Sequence, residues 1–139
     1  MIVLVRVFAA VLLGAIVGIE RERAHKPAGL RTHMLVSLGT AIVVIACSDA
    51  GMSFDGLSRV IQGVVTGIGF LGAGTILKLT EQREIKGLTT AAGLWMTAAI
   101  GVAVGLGMLG VALIGTVITV LILVLEHFIY TRRNTQNKN

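Results

Sequence analysis

The sequence is poor in cysteine, proline, aromatic residues and charge. Its one cysteine, Cys47, rules out an internal disulfide framework. Cys47 ends an apolar run and reads as a small buried apolar residue. Charged residues make up only 14% of the chain, where a soluble domain would carry about a quarter. The charges that exist are bunched into short stretches, and hydrophobic residues reach 55%. That pattern excludes a soluble domain with a large core and points to a membrane protein. There is no Ser/His/Asp set, no Cys/His zinc spacing and no run of carboxylates deep in an apolar segment. No Gly-Lys-Ser/Thr follows a glycine run, so a phosphate loop is excluded too. Soluble-type catalysis has no support, and the chain is not expected to be an enzyme.

Net charge is +5. The basic residues flank apolar segments, so membrane orientation explains them and nucleic-acid binding is not needed. Five segments emerge, from about Ile2 to Ile19, Met34 to Cys47, Val60 to Leu79, Leu88 to Val104 and Leu106 to Leu125. A spanning helix needs about 20 residues, so the second should borrow Leu30 to His33. The first lacks a basic start and a small-residue cleavage site, so it reads as a retained helix rather than a signal peptide. The expected fold is an all-α transmembrane bundle over residues 1–130, with a polar cytoplasmic tail over 131–139. Arg21, Arg23, Lys26, Arg31, Lys78, Arg83, Lys86, Arg132, Arg133 and Lys138 fall on one side. The other side has Arg59 and Arg6. The positive-inside rule therefore puts the N-terminus outside and the C-terminus in the cytoplasm.

Shifting the sequence by 58 residues lays the first hairpin on the second. Leu13-Gly14-Ala15 meets Leu71-Gly72-Ala73, and Gly29-Leu30-Arg31-Thr32 meets Gly87-Leu88-Thr89-Thr90. Two parallel-repeat hairpins plus a fifth helix follow as an expectation. Gly14 and Gly18, and Gly63 and Gly67, form small-xxx-small pairs. With Gly69, Gly72 and Gly74 they suit close helix packing, and they suggest a homodimer. A locally unwound stretch lining a cavity is the alternative for the second set.

The charged stretch Glu20-Arg21-Glu22-Arg23 leads to Lys26-Pro27-Ala28-Gly29-Leu30-Arg31-Thr32-His33. On a helix, Glu20 can meet Arg23 and Glu22 can meet Lys26. An ordinary charge girdle is the bland reading. Pro27 and Gly29 break the chain, and Thr32 can help start the next helix. Thr89 and Thr90 sit at another helix start, where they can cap it or help hold a carboxylate such as Glu20 or Glu22. Trp95 is expected to pack. Arg6 lies near the outer end of its helix, where it either snorkels or pairs with Asp49 or Asp55. Glu126 and His127 end the last segment at the interface.

These stretches, Gly14 to His33, Gly67 to Gly74 and Gly87 to Thr97, resemble the signatures of the MgtC/SapB family and cover most of the chain. The resemblance implies a bacterial plasma-membrane protein linked to growth under magnesium limitation and, in pathogens, to survival inside host cells. Family members are labelled magnesium transporters or described as modulators of the proton-translocating ATP synthase. It implies roles for Arg6, Glu20, Arg21, Glu22, Lys26, Pro27, Gly29, Arg31, Thr32 and His33. In the second hairpin it implies roles for Gly67, Gly69, Gly72, Gly74, Gly87, Thr89, Thr90 and Trp95. Full-length virulence-type relatives carry a further cytoplasmic domain, which the sequence ending after the fifth helix is expected to lack. Two functions are weighed: a membrane regulator, and a Mg²⁺ transporter or channel. Mg²⁺ prefers an octahedral oxygen shell, and the carboxylates here sit only at segment edges. No cofactor is expected beyond Mg²⁺ itself. The functional centre is expected where Glu20, Glu22, Arg31 and Thr32 meet Thr89 and Thr90.

Overall fold

The computed structural model describes residues 2–79 and 84–136. Arg83 and Lys138 lie outside the described residues, as do the side chains of Lys78, Glu126, His127, Arg132 and Arg133. Five helices run in order: α1 (Ile2–Arg23), α2 (Leu30–Asp49), α3 (Phe54–Gly74), α4 (Leu88–Gly105) and α5 (Leu109–Gln136). Between α3 and α4 lies a short antiparallel hairpin, β1 (Leu77–Leu79) and β2 (Glu84–Lys86), with Leu77 opposite Lys86. By length and composition α1 to α4 can each cross a membrane, and α5 carries a shorter apolar stretch, Leu109–Leu125. The bundle is therefore a multi-pass membrane fold, as its composition required. The outward faces fit that setting, with Phe8, Leu12, Leu113, Ile114 and Leu121 exposed.

Several boundaries differ from the sequence reading for local reasons. The second helix does begin at Leu30. The third starts earlier than expected, at Phe54, because the Ser53 hydroxyl accepts from the Gly56 N–H at 3.3 Å and Asp55 suits the positive helix start. It stops at Gly74, and Leu77–Leu79 is strand rather than helix. Gly87 explains the hairpin's close: its φ is +94°, and a Cβ there would collide with the Thr75 carbonyl. α1 runs on past the expected Ile19 and ends at Arg23. His25 turns the chain at φ +54° while the Lys26 N–H donates to the Arg21 carbonyl at 3.0 Å.

Helix α2 is clamped between α1 and α4. In lipid the hydrophobic effect does not drive helices together, so close backbone approach must. Four glycines permit it. A Cβ on Gly14 would lie 2.7 Å from the His33 carbonyl oxygen, and one on Gly18 would lie 2.7 Å from Leu30 Cα. From α4, Gly101 would meet the Ser37 carbonyl oxygen at 2.5 Å and Gly105 would meet Val44 Cβ at 2.7 Å. Ala10, Val17, Ala41, Ile100 and Val104 complete this core. The 58-residue offset recurs at two points of the structure. Helices α2 and α4 start at Leu30 and Leu88, after N-caps Gly29 and Gly87. Gly14 abuts His33, and Gly72 abuts Ala91 at the same offset, more loosely at 3.5 Å.

Helix α3 is the outlier. It leans on α4 and buries little beyond Ile68 and Gly72. The expected packing glycines divide accordingly. Gly14, Gly18 and Gly72 meet a neighbouring helix, whereas Gly63, Gly67, Gly69 and Gly74 face open space within the chain. Among the described residues, the third helix's glycine run thus touches a neighbouring helix at Gly72 alone. Gly101→Leu should lower unfolding stability by about 3 kcal/mol or more, because backbone must move. Gly67→Ala should be neutral or stabilise by up to about 1 kcal/mol. Denaturant unfolding of the purified protein in detergent checks both. Equal costs for the two variants would contradict this packing.

Candidate functional site

The end of the bundle that holds the α1–α2 turn gathers most of the charge. Local sequence explains its geometry. Arg21 lies on the inward face of α1, one turn beyond Val17, so its guanidinium enters the bundle and is almost wholly buried. A buried charge needs a counter-charge and filled donors. Arg21 Nε pairs with the Glu20 carboxylate, and Nη2 reaches the Leu123 carbonyl of α5 at 3.4 Å. Glu20 therefore pairs with its neighbour, not with Arg23 as helical spacing suggested.

Glu22 takes the other role. Its Oε2 accepts from the Leu30 N–H at 2.7 Å, at the first residue of α2. A carboxylate thus docks on a helix start, where free N–H groups and the helix dipole favour it. The N-cap residue of α2 is Gly29, which has no side chain to cap with, so Glu22 substitutes from the preceding helix. Thr32 does not cap this helix, and both it and Arg31 are exposed. At α4 the N-cap is Gly87, with no side-chain cap bond. Thr89 and Thr90 therefore do not cap, although Thr90 is buried. The expected meeting of Glu20, Glu22, Arg31 and Thr32 with Thr89 and Thr90 is not what forms. Among the described residues no hydrogen bond or ion pair joins the two sets.

What does form is a polar seam deeper in the bundle. His33 of α2 is fully buried, and its Nδ1 lies 2.6 Å from Thr97 Oγ1 of α4. The Thr97 hydroxyl also lies 2.9 Å from the Gly93 carbonyl oxygen. A threonine has one proton. If it goes to Gly93, as with other buried threonines here, the Nδ1–H of His33 is the donor to Thr97 and Nε2 carries the bare lone pair. That arrangement satisfies both contacts and leaves an orphan acceptor, which costs less than an orphan N–H. Nε2 of His33 and the Ser37 hydroxyl, one turn along the same face, are buried without a hydrogen-bond partner. By contrast Thr40, Thr116 and Thr119 each donate to a carbonyl one turn back. Glycines build the seam's walls: Gly18 lies against the His33 side chain on one side and Gly93 on the other.

Of the expected site residues, then, Arg21, Glu22 and His33 make contacts between helices, and Glu20 pairs with Arg21 on its own helix. Lys26 is half-buried in the turn, and Trp95, expected to pack, is half exposed on the outward face of α4. At the opposite end Arg6 neither snorkels freely nor pairs with Asp49 or Asp55. Its Nη1 donates to the Gly105 carbonyl at 3.2 Å, capping the C-terminus of α4. The turn beyond it is pressed onto the guanidinium, since a Cβ on Gly107 would sit 2.8 Å from Nη2. Asp49 and Asp55 are exposed. Sequence reading missed Thr97, Ser37, Gly101 and Gly105. The one available signal was Gly101 and Gly105 at small-xxx-small spacing in α4.

Removing one member of a buried ion pair strands the other. Arg21→Met should therefore cost about 3 kcal/mol or more, and adding Glu20→Gln should recover part of that loss. Glu22→Gln should cost about 1 kcal/mol, the worth of a helix N-cap. Unfolding curves of the three variants in detergent decide this. An Arg21→Met variant as stable as the parent would contradict the buried pair.

Comparison with known proteins places this architecture. Residues 7–132 match the MgtC family. Protein SrpB of Synechococcus elongatus is 43% identical over 129 residues, covering 85% of this chain and 71% of that protein. The Escherichia coli (strain K12) protein named "Putative magnesium transporter YhiD" is 45% identical over 141 residues, covering 96% of this chain and 63% of that protein. Protein MgtC of Salmonella typhimurium (strain LT2) is 44% identical over 115 residues, covering 83% and 48% respectively. The chain thus spans between about half and about seven-tenths of these relatives. No solved structure matches. A family match across nearly all of a five-helix apolar bundle makes the conclusion direct: the chain belongs to the MgtC family of multi-pass membrane proteins.

Proposed function

We propose that the chain is a bacterial inner-membrane regulator of ion homeostasis under magnesium limitation, acting through membrane partners rather than by moving Mg²⁺ itself. Its relatives carry MgtC and magnesium-transporter names, which supports the link to magnesium. The observation that carries the regulator reading is the state of the carboxylates. Glu20 is held by Arg21 and Glu22 by the start of α2. One oxygen of each is thus committed within the chain, whereas Mg²⁺ needs several oxygen ligands. The centre of the bundle, where α1, α2 and α4 meet, is closed by backbone contact at Gly14, Gly18, Gly101 and Gly105.

In this reading the N-terminus lies outside and the C-terminus in the cytoplasm, following the excess of Lys and Arg at the α1–α2 end. The charged cluster then faces the cytoplasm, where the set Glu20, Arg21, Glu22, Lys26, Arg31, Thr32 and His33 can report to a partner such as the ATP synthase. Helix α3 offers the assembly surface. Its exposed Gly63 and Gly67 lie beside exposed Ser58 and Gln62, polar groups that lipid cannot satisfy and a second copy can. The expected assembly is a homodimer, and virulence in a pathogen would follow from the same role.

Two assays on one set of proteins separate the readings. Purified chain reconstituted into vesicles should give no Mg²⁺ uptake above empty vesicles. The same chain should restore growth of a deletion strain in low magnesium, and Glu22→Gln should abolish that rescue while membrane expression persists. Uptake that saturates with Mg²⁺ would establish the transporter instead. Full rescue by Glu22→Gln would remove the docked carboxylate from function.

A further inference from the structure

The pairing of both motif carboxylates leaves Arg23 aside. It closes α1, is exposed, and makes no ion pair or hydrogen bond among the described residues. Glu20, its partner by helical spacing, is already bound to Arg21. Beside Arg23 a cavity of about 310 Å³ lies between α1 and α5, its apolar walls formed by Ile16, Ile19, Val120 and Val124. Glu20 and Arg23 lie at its polar end. Ile16, Ile19 and Val124 are partly exposed there, so the groove opens on the surface that meets the bilayer.

Two kinds of chemistry coincide in this groove. Four branched aliphatic side chains make a slot in which an acyl chain replaces the disordered tails of bulk lipid. At its end stands a guanidinium with unused donors, the group best suited to hold a phosphate. The depth is right as well, because Arg23 is the last residue of a membrane-crossing helix and so lies at headgroup level. Exposed Arg31 on the same end adds to the positive field. Basic pockets between transmembrane helices recognise anionic headgroups for these reasons.

We propose that the groove between α1 and α5 is a binding site for an anionic phospholipid, with its phosphate on Arg23 and an acyl chain against Ile16, Ile19, Val120 and Val124. The site is independent of the regulator reading, since a transporter would carry it equally.

Fluorescent phosphatidylglycerol and phosphatidylcholine with identical chains are titrated onto the delipidated full chain in detergent. Phosphatidylglycerol should bind saturably and about fivefold more tightly, the contribution of one basic side chain at an anionic surface. Arg23→Gln should erase that preference, and its exposed, unpaired side chain makes it a mild change for the fold. Arg23→Lys should keep most of it. Val124→Trp, which fills the groove, should weaken both lipids. Glycerol phosphate, which has a headgroup and no chain, should not compete. Equal affinity for the two lipids, or a preference unchanged in Arg23→Gln, would overturn the site. Full competition by glycerol phosphate would overturn the role of the apolar walls.

Discussion

The structure depends on how near α2 is allowed to come to α1 and α4. Lipid gives apolar side chains no incentive to leave it, so a bundle of apolar helices is held by contact energy and by polar groups that lipid cannot satisfy. Both terms grow only when backbones approach closely. Gly14 and Gly18 on one side of α2, and Gly101 and Gly105 on the other, leave no room for even a Cβ. That constraint fixes the depth and rotation of three helices at once, and it leaves α3 outside the clamp.

The polar seam follows from the same approach. His33 and Thr97 are 64 positions apart in sequence, and they meet at 2.6 Å because glycines flank the imidazole on both sides. An unsatisfied buried polar atom costs about 1–3 kcal/mol. His33 Nε2 and Ser37 Oγ both stand in that position, so the bundle retains polarity that packing alone would discard. At the charged end, Arg21 joins α1 to α5 through the Leu123 carbonyl, and Glu22 joins α1 to α2. The elements that set helix positions are thus the elements facing the basic loop. A partner or headgroup acting there would act on the positions of α1, α2 and α5 directly.

The number of helices and their membrane character were legible in composition and run length, because both are set by what a bilayer tolerates. One mark of the proposed repeat was legible as well: Gly29 and Gly87 recur at the same offset, each preceding a helix start. Glu20, Arg21 and Glu22 could be singled out from the density of charge at one helix end, and His33 entered through the family resemblance. Their partners could not. Helical spacing paired Glu20 with Arg23, whereas the inward turn of Arg21 drew that carboxylate to itself, and the open start of α2 took Glu22 Oε2. The glycine run of α3 was expected to pack closely, and apart from Gly72 its glycines face open space within the chain. Spacing shows that a face is small, not which neighbour lies across it. Thr97 closed the stretch Gly87 to Thr97 but drew no role of its own, since its importance comes from the histidine opposite.

The most direct test is a double-mutant cycle across the clamp. Unfolding free energies of the parent, His33→Asn, Thr97→Val and the double variant, measured in one detergent, give the coupling between α2 and α4. Residues bonded across a glycine-spaced contact should couple by about 1 kcal/mol or more. Additive single effects, with coupling near zero, would mean that the buried seam does not hold these helices together.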